Sequence, residues 1–173
     1  MKFYYLPLLC SLCVLLTCDN ARRPLSEAVL SYNALLAEGY RDQDLTPLLA
    51  VATPEQVTKV HLHMSALAEG MVVMDALLRS IDFLEVSILP EDRAKLTTRE
   101  SWSYRYMMSG NKNIGEERLV NYTVDYRLQK VRARWLVNEV IIQESDRIVE
   151  DDDLPFFKRP ARSPAAATGG GAR

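Results

Sequence analysis

The chain opens on an apolar run over residues 3–16, broken by Pro7 and Ser11, with Lys2 the single charge before Asp19. A bilayer-spanning helix needs ~20 apolar residues, so this run fits the apolar region of a secretory signal peptide instead. Residues 19–24 are polar or small and read as a tether. Leu25, Val29, Tyr32 and Leu36 then recur at spacings of four, three and four, which predicts a helix over 25–38 with Gly39 as its stop. Thr46-Pro47 opens a short helical piece. Thr53-Pro54-Glu55-Gln56 is a capping sequence, and Val57, Val60, Met64, Leu67, Met71, Met74 and Leu78 behind it predict one long helix of about six turns.

After Arg79 the period changes to two. It predicts a strand over 81–89, a turn at 90–92, and a long strand whose even positions, Ala94 to Met108, end in an aromatic half. A polar hairpin loop starts at Ser109-Gly110-Asn111. A third strand carries Val120, Tyr122, Val124, Tyr126 and Leu128 on one face, and residues 129–132 turn the chain. The last strand, 135–142, has Leu136, Val140 and Ile142 on one side and Trp135, Val137 and Ile141 on the other. Apolarity on both sides predicts a central strand, or a face buried against a partner. Helices first and an antiparallel meander afterwards imply an α+β fold, with N-terminal helices, one of them long, on a curved sheet of about four strands. Beyond residue 143 the pattern stops. Four acids occupy 150–153, Phe156 and Phe157 follow, and the end is rich in Pro, Ala and Gly, a composition that reads as a disordered tail. The Phe pair either docks back on the domain or forms a contact point for another molecule.

The apolar run ends Leu15-Leu16-Thr17-Cys18. That resembles the bacterial lipobox, in which a Leu and a small residue precede a Cys that receives diacylglycerol and becomes the first mature residue. Thr17 departs from the usual Gly, Ala or Ser. The resemblance implies a lipoprotein of the cell envelope, held on the membrane by acyl chains on Cys18. The remaining reading is an uncleaved signal or short anchor. The chain divides accordingly into a signal peptide at 1–17, the lipidated Cys and tether at 18–24, an α+β domain at 25–143, and a tail at 144–173. Cysteine usage agrees: Cys10 and Cys13 leave with the leader, and Cys18 alone remains, so no disulfide or thiolate metal site forms in the mature chain. In enteric bacteria an Asp after the lipidated Cys is associated with inner-membrane retention. Asp19 therefore implies the periplasmic face of the inner membrane, with the outer membrane as the alternative.

Charge narrows the partners. The chain carries a net charge of −2, and loss of Lys2 with the leader makes it −3. Such a balance argues against a nucleic-acid partner, which would need a basic surface, and gives no overall pull toward anionic lipid. Membrane affinity is expected from the anchor.

The order of elements over about 25–142, ending in "RWLVNEVII", resembles the nuclear-transport-factor-two-like cone fold. Members of that family include isomerases, dehydratases, transport adaptors and periplasmic assembly subunits, so the fold by itself selects no activity. An enzyme of this family is expected to hold an acid and a base inside the cone, and the candidates are Glu85, Glu100, Asp125 and Glu139. Trp102, Tyr104, Tyr106, Tyr122, Tyr126 and Trp135, with Glu100 and Glu139, form the candidate pocket or interface; ordinary cross-strand packing is the competing account of the aromatics. His61 and His63, two apart on a helix, point about 160° apart and cannot share a metal ion. No phosphate loop, nucleophile elbow or paired-carboxylate motif occurs. The expectation is a non-catalytic module without cofactor or metal, binding an envelope protein or a small apolar ligand. An isomerase- or hydrolase-type enzyme and a structural subunit of an envelope assembly are the alternatives.

Overall fold

A computed structural model describes the backbone of residues 6–108 and 112–146, with side chains at 22–108, 116–143 and 145. Helix α1, Leu6–Asp42, leads into a short 3-10 turn at Thr46–Ala50 and helix α2, Pro54–Glu69. Four strands follow in sequence order as an antiparallel meander: β1 Val72–Leu89, β2 Arg93–Met108, β3 Lys112–Val131 and β4 Arg134–Asp146. The chain is thus an α+β fold, with helices packed on one face of an open four-stranded sheet.

The core lies between the helices and that face. Leu25, Val29 and Tyr32 of α1, Leu48 of the 3-10 turn, and Val60 and Met64 of α2 are buried against Leu96, Trp102, Val124, Tyr126, Leu128 and Val137 of the sheet. The second and third strands alternate as expected, with even positions toward the helices. Thr53 caps α2, its side chain accepting from the Gln56 amide.

Several boundaries differ from the sequence pattern. The helix expected over 25–38 is part of α1, so the stretch expected as a tether, 19–24, is helical in its backbone, and Gly39 lies inside the helix instead of ending it. Gly39 has a packing role: a Cβ there would meet Leu45 Cδ2 at 2.7 Å. The long helix ends at Glu69, not Leu78. Met71 takes a left-handed φ of 56°, and β1 begins at once. Met74 and Leu78 continued the helical stripe because four residues make about one helical turn and also two strand repeats. They face the helices from β1, opposite Tyr106 and Trp102.

The first strand accordingly starts at Val72, not 81. β1 carries two register shifts, between Leu78 and Ser80 and between Phe83 and Glu85, each leaving one extra residue. They return Ile81 and Val86 to the helix face, as their pairing with Glu100 and Leu96 shows. The third strand runs to Val131. Its turn is Arg132-Ala133, both left-handed, with φ 48° and 68°, the twist a two-residue hairpin needs. The last strand is an edge, not central. A shift near Asn138 puts Val137 and Val140 on the same face, opposite Leu128 and Tyr126, so an apparent two-sided strand has one buried side. Part of its outer edge is capped: Thr53 donates its amide to Val137, Val137 donates to Val51, and Ala52 bridges Val137 in parallel. The loop at 109–111, and the tail from 147 with its acids and Phe156-Phe157, lie outside the described residues.

A caged carboxylate under the first helix

Glu100 is at the centre of the sheet on its helix face, and is 2% exposed. Alternation along β2 points it inward beside Thr98 and Trp102, and α1 lowers Asn33 onto it from above. Its Oε1 accepts from Thr98 Oγ1 at 2.8 Å, Tyr126 OH at 2.7 Å and Asn33 Nδ2 at 3.2 Å; its Oε2 accepts from Trp102 Nε1 at 2.7 Å. Four donors surround the carboxyl, and among the described residues no cation lies within ion-pair distance. Tyr126 OH is also 3.1 Å from Asn33 Oδ1, which holds the Asn33 amide in place.

The network extends into α2. Gln56 Nε2 donates to Tyr32 OH at 2.9 Å, and the Tyr32 ring meets Tyr126 edge-on with centroids 6.2 Å apart. Gln56 Oε1 is buried without a protein partner among the described residues. Burial pushes the Tyr32 hydroxyl up to about 12 and raises Tyr126 well above its ordinary value, so both stay protonated, Tyr126 donating to Glu100 and Tyr32 accepting from Gln56. Farther along, Tyr40 OH hydrogen-bonds His63 Nδ1 between the two helices, and burial lowers the His63 pKa.

Beside the cage runs an aromatic row. Trp102 stacks on Tyr104 with centroids 6.2 Å apart and planes 13° apart, and Tyr104 meets Tyr122 edge-on at 6.3 Å. Burial raises the Tyr104 pKa, with neighbouring Tyr122 adding to it. Tyr106 is one strand repeat farther on and half-buried.

The structure therefore gathers Glu100, Trp102, Tyr104, Tyr106, Tyr122 and Tyr126 on one face. The other two members of the candidate set lie apart. Glu139 is on β4 and bonds Arg127 at 2.7 Å, with Lys59 at 3.7 Å, as a partly exposed ion pair. Trp135 is near the β3–β4 turn with Lys130 Nζ 5.8 Å from its ring. Glu85 is exposed and bonds Ser87. Asp125 is on the opposite face, where it accepts from Thr97 at 2.6 Å, Gln143 at 2.8 Å and Lys95 at 3.0 Å. Among the described residues no cluster of His, Cys, Asp and Glu is placed to hold a metal. Sequence reasoning missed Asn33, Gln56 and Tyr32. The signal available was Asn33, a polar residue directly beside the apolar stripe of α1.

A hollow of about 390 Å³ is on the open face, lined by Ser80, Asp82, Arg99, Ser101, Asn121 and Thr123. Glu100 and Tyr122 contribute to its floor, although the Glu100 carboxyl is bonded on the helix face. The hollow and the caged carboxyl are thus separated by the sheet.

No protein-family model matches the chain. No curated protein sequence matches it either. Among solved structures, the intermembrane space region of the chloroplast protein ARC6 is similar, with a TM-score of 0.58 and 16% identity over 69% of this chain and 94% of that one. At that identity the likeness establishes a shared fold. No helix among the described residues is long and apolar enough to cross a membrane.

Proposed function

We propose that this chain is a membrane-anchored envelope lipoprotein whose cone-like domain is a non-catalytic binding module for a partner protein or a small apolar ligand. The observation that carries the non-catalytic part is the cage. Glu100 is the best-placed candidate base, yet both its oxygens are already engaged by four donors of the fold, and it is sealed from solvent. A general base needs hydrogen-bond reach to a substrate proton. Here that reach is taken up by Thr98, Tyr126, Asn33 and Trp102. The carboxyl serves to fix α1 on the sheet.

Binding falls to the half-buried row of Tyr104, Tyr106 and Tyr122, which offers rings without closing over them. Anchoring rests on the apolar leader and Cys18. The similar ARC6 domain lies in an intermembrane space, a membrane-bounded aqueous compartment like the periplasm proposed here.

Two measurements test the reading. Intact mass of the membrane-purified protein is expected to show loss of residues 1–17 and added acyl chains, and Cys18→Ser is expected to leave an uncut or released chain; the mass of the unmodified full chain overturns the anchor. Titration with 1-anilinonaphthalene-8-sulfonate is expected to show saturable binding that Tyr104→Ser removes. Binding unaffected by Tyr104→Ser takes the ligand away from the aromatic row.

A further inference from the structure

The direction of α1 over the sheet locates one end of the molecule. Tyr32 bonds Gln56 and, two turns on, Tyr40 bonds His63, so α1 runs alongside α2 in the same direction; α2 starts at Thr53, bonded to Val137 at the level of Ala94, and leads into β1 at Val72, opposite Met108. The helix thus advances with β2 and against β1. Followed backward, toward Arg22 and Arg23, it heads for the β1–β2 turn at 90–92. The β3–β4 turn, Arg132-Ala133, is at the same end, because Lys130 donates its amide to the Asp92 carbonyl at 2.8 Å. The two turns and the start of the described side chains of α1 therefore share one end, and the apolar leader departs from it through the helical backbone that begins at Leu6.

That end differs from the rest of the surface. Ile88 is 57% exposed, Leu89 43% and Val131 38%. Around them are the cations Arg22, Arg23, Arg93, Lys130, Arg132 and Arg134, against the acids Glu27, Glu91 and Asp92. Arg23 pairs with Glu27 and Arg93 with Glu91. Arg22, Arg132 and Arg134 have no ion pair among the described residues, and Lys130 lies by Trp135. An excess of cations gathers here in a chain whose net charge is −2.

We propose that this end docks directly on an anionic lipid surface, with Ile88, Leu89 and Val131 entering the headgroup boundary and the arginines meeting lipid phosphates. The proposal rests on the membrane-anchored reading and adds a face to it. Net charge averages the surface and hid this asymmetry. Apolar side chains ringed by cations are what an interfacial site needs, and each cation near an anionic bilayer raises partitioning by roughly fivefold. The anchor fixes the occupant, because acyl chains on Cys18, four residues before Arg22, bring the turns against the same bilayer.

The test is co-sedimentation of the full-length, unlipidated Cys18→Ser chain with vesicles of phosphatidylcholine alone or with phosphatidylglycerol. The leader is common to every variant and acts with both lipids, so the ratio between the two compositions reads the surface alone. Arg134→Glu is expected to lower that ratio by about tenfold or more, and Arg22→Gln, a milder change on the helix, by roughly fivefold. Arg99→Glu, the same charge change in the middle of the open face, is expected to change it by less than twofold. Ile88→Ser is expected to weaken binding to both compositions. Equal losses for Arg134→Glu and Arg99→Glu, or none for either, overturn the proposal. Failure of the lipid anchor would appear in the intact mass of the native protein and leave this ratio untouched.

Discussion

The two faces of the sheet hold carboxylates in opposite ways. On the helix face, Glu100 accepts four hydrogen bonds from neutral groups and has no cation beside it among the described residues. On the open face, Asp125 combines Lys95 with Thr97 and Gln143, and Glu139 pairs with Arg127. Glu139 is 30% exposed, so water can take over from its ion pair, whereas Asp125, at 7%, is buried and keeps a cation beside it. Under α1 water cannot replace a lost partner, and only the Asn33 and Val124 oxygens remain within reach of the freed donors. The difference teaches that isolation, more than the number of bonds, sets what each carboxylate is worth to the fold.

The largest expected effect breaks the helix-face side. Glu100→Ala leaves the buried Trp102 and Asn33 donors unpaired, leaves Tyr126 and Thr98 only the longer contacts to Asn33 Oδ1 and the Val124 carbonyl, and opens a void, and is expected to cost roughly 3–5 kcal/mol in urea denaturation. A loss under about 1 kcal/mol would mean that the cage does not hold α1 down. Tyr126→Phe removes one of the donors and keeps the ring, so a loss of about 1–2 kcal/mol is expected from the same melts.

The open face should respond less. Arg127→Gln dissolves a pair whose partners are 59% and 30% exposed, and the expected change in melting free energy is below about 1 kcal/mol, shrinking further in high salt. A value matching Glu100→Ala would erase the contrast between the faces.

The smallest effect is a dependence on pH. Burial disfavours the imidazolium of His63, so its folded pKa lies below 6.5. Its contribution is therefore complete above pH 6.5 and is lost as pH falls below that toward the folded value, giving a shallow decline that His63→Asn should abolish. For Asp125, burial pushes the pKa upward, but hydrogen bonds from Thr97, Lys95 and Gln143 outweigh it and the net shift is downward from 3.8. A second loss of stability is thus expected only below pH 3.8, and Asp125→Asn should remove it while leaving the decline near neutrality in place.

Much of the architecture was legible in the residues. The alternation Ala94 to Tyr106 and Val120 to Leu128 gave two strands and their buried faces, because each face of a pleated strand meets one environment. Thr53-Pro54-Glu55-Gln56 marked the start of α2 through local cap chemistry. Boundaries failed where a position satisfied two periods at once, as Met74 and Leu78 did, or where a turn lacked its usual residues. Arg132-Ala133 adopts a left-handed hairpin turn without Asn or Gly, so the turn expected over 129–132 falls early for want of a local signal at its two central residues. The bulges of β1 and the shift near Asn138 re-phase their strands, and a bulge shows only against its partner strand.

The candidate site divides in the same way. Sequence alone placed Glu100, Trp102, Tyr104, Tyr106, Tyr122 and Tyr126 as a set, since alternation is a property of one strand and its neighbours. It could not separate Glu139 and Trp135 from them. Nor could it bring in Asn33 and Gln56, which are 67 and 44 positions from Glu100 along the chain and reach its network only once the helices lie on the sheet. Periodicity is decided by which side of one element faces water, and that is written locally. Enclosure and the meeting of the two turns at one basic end are set by how separate elements cross, and only the tertiary structure decides that.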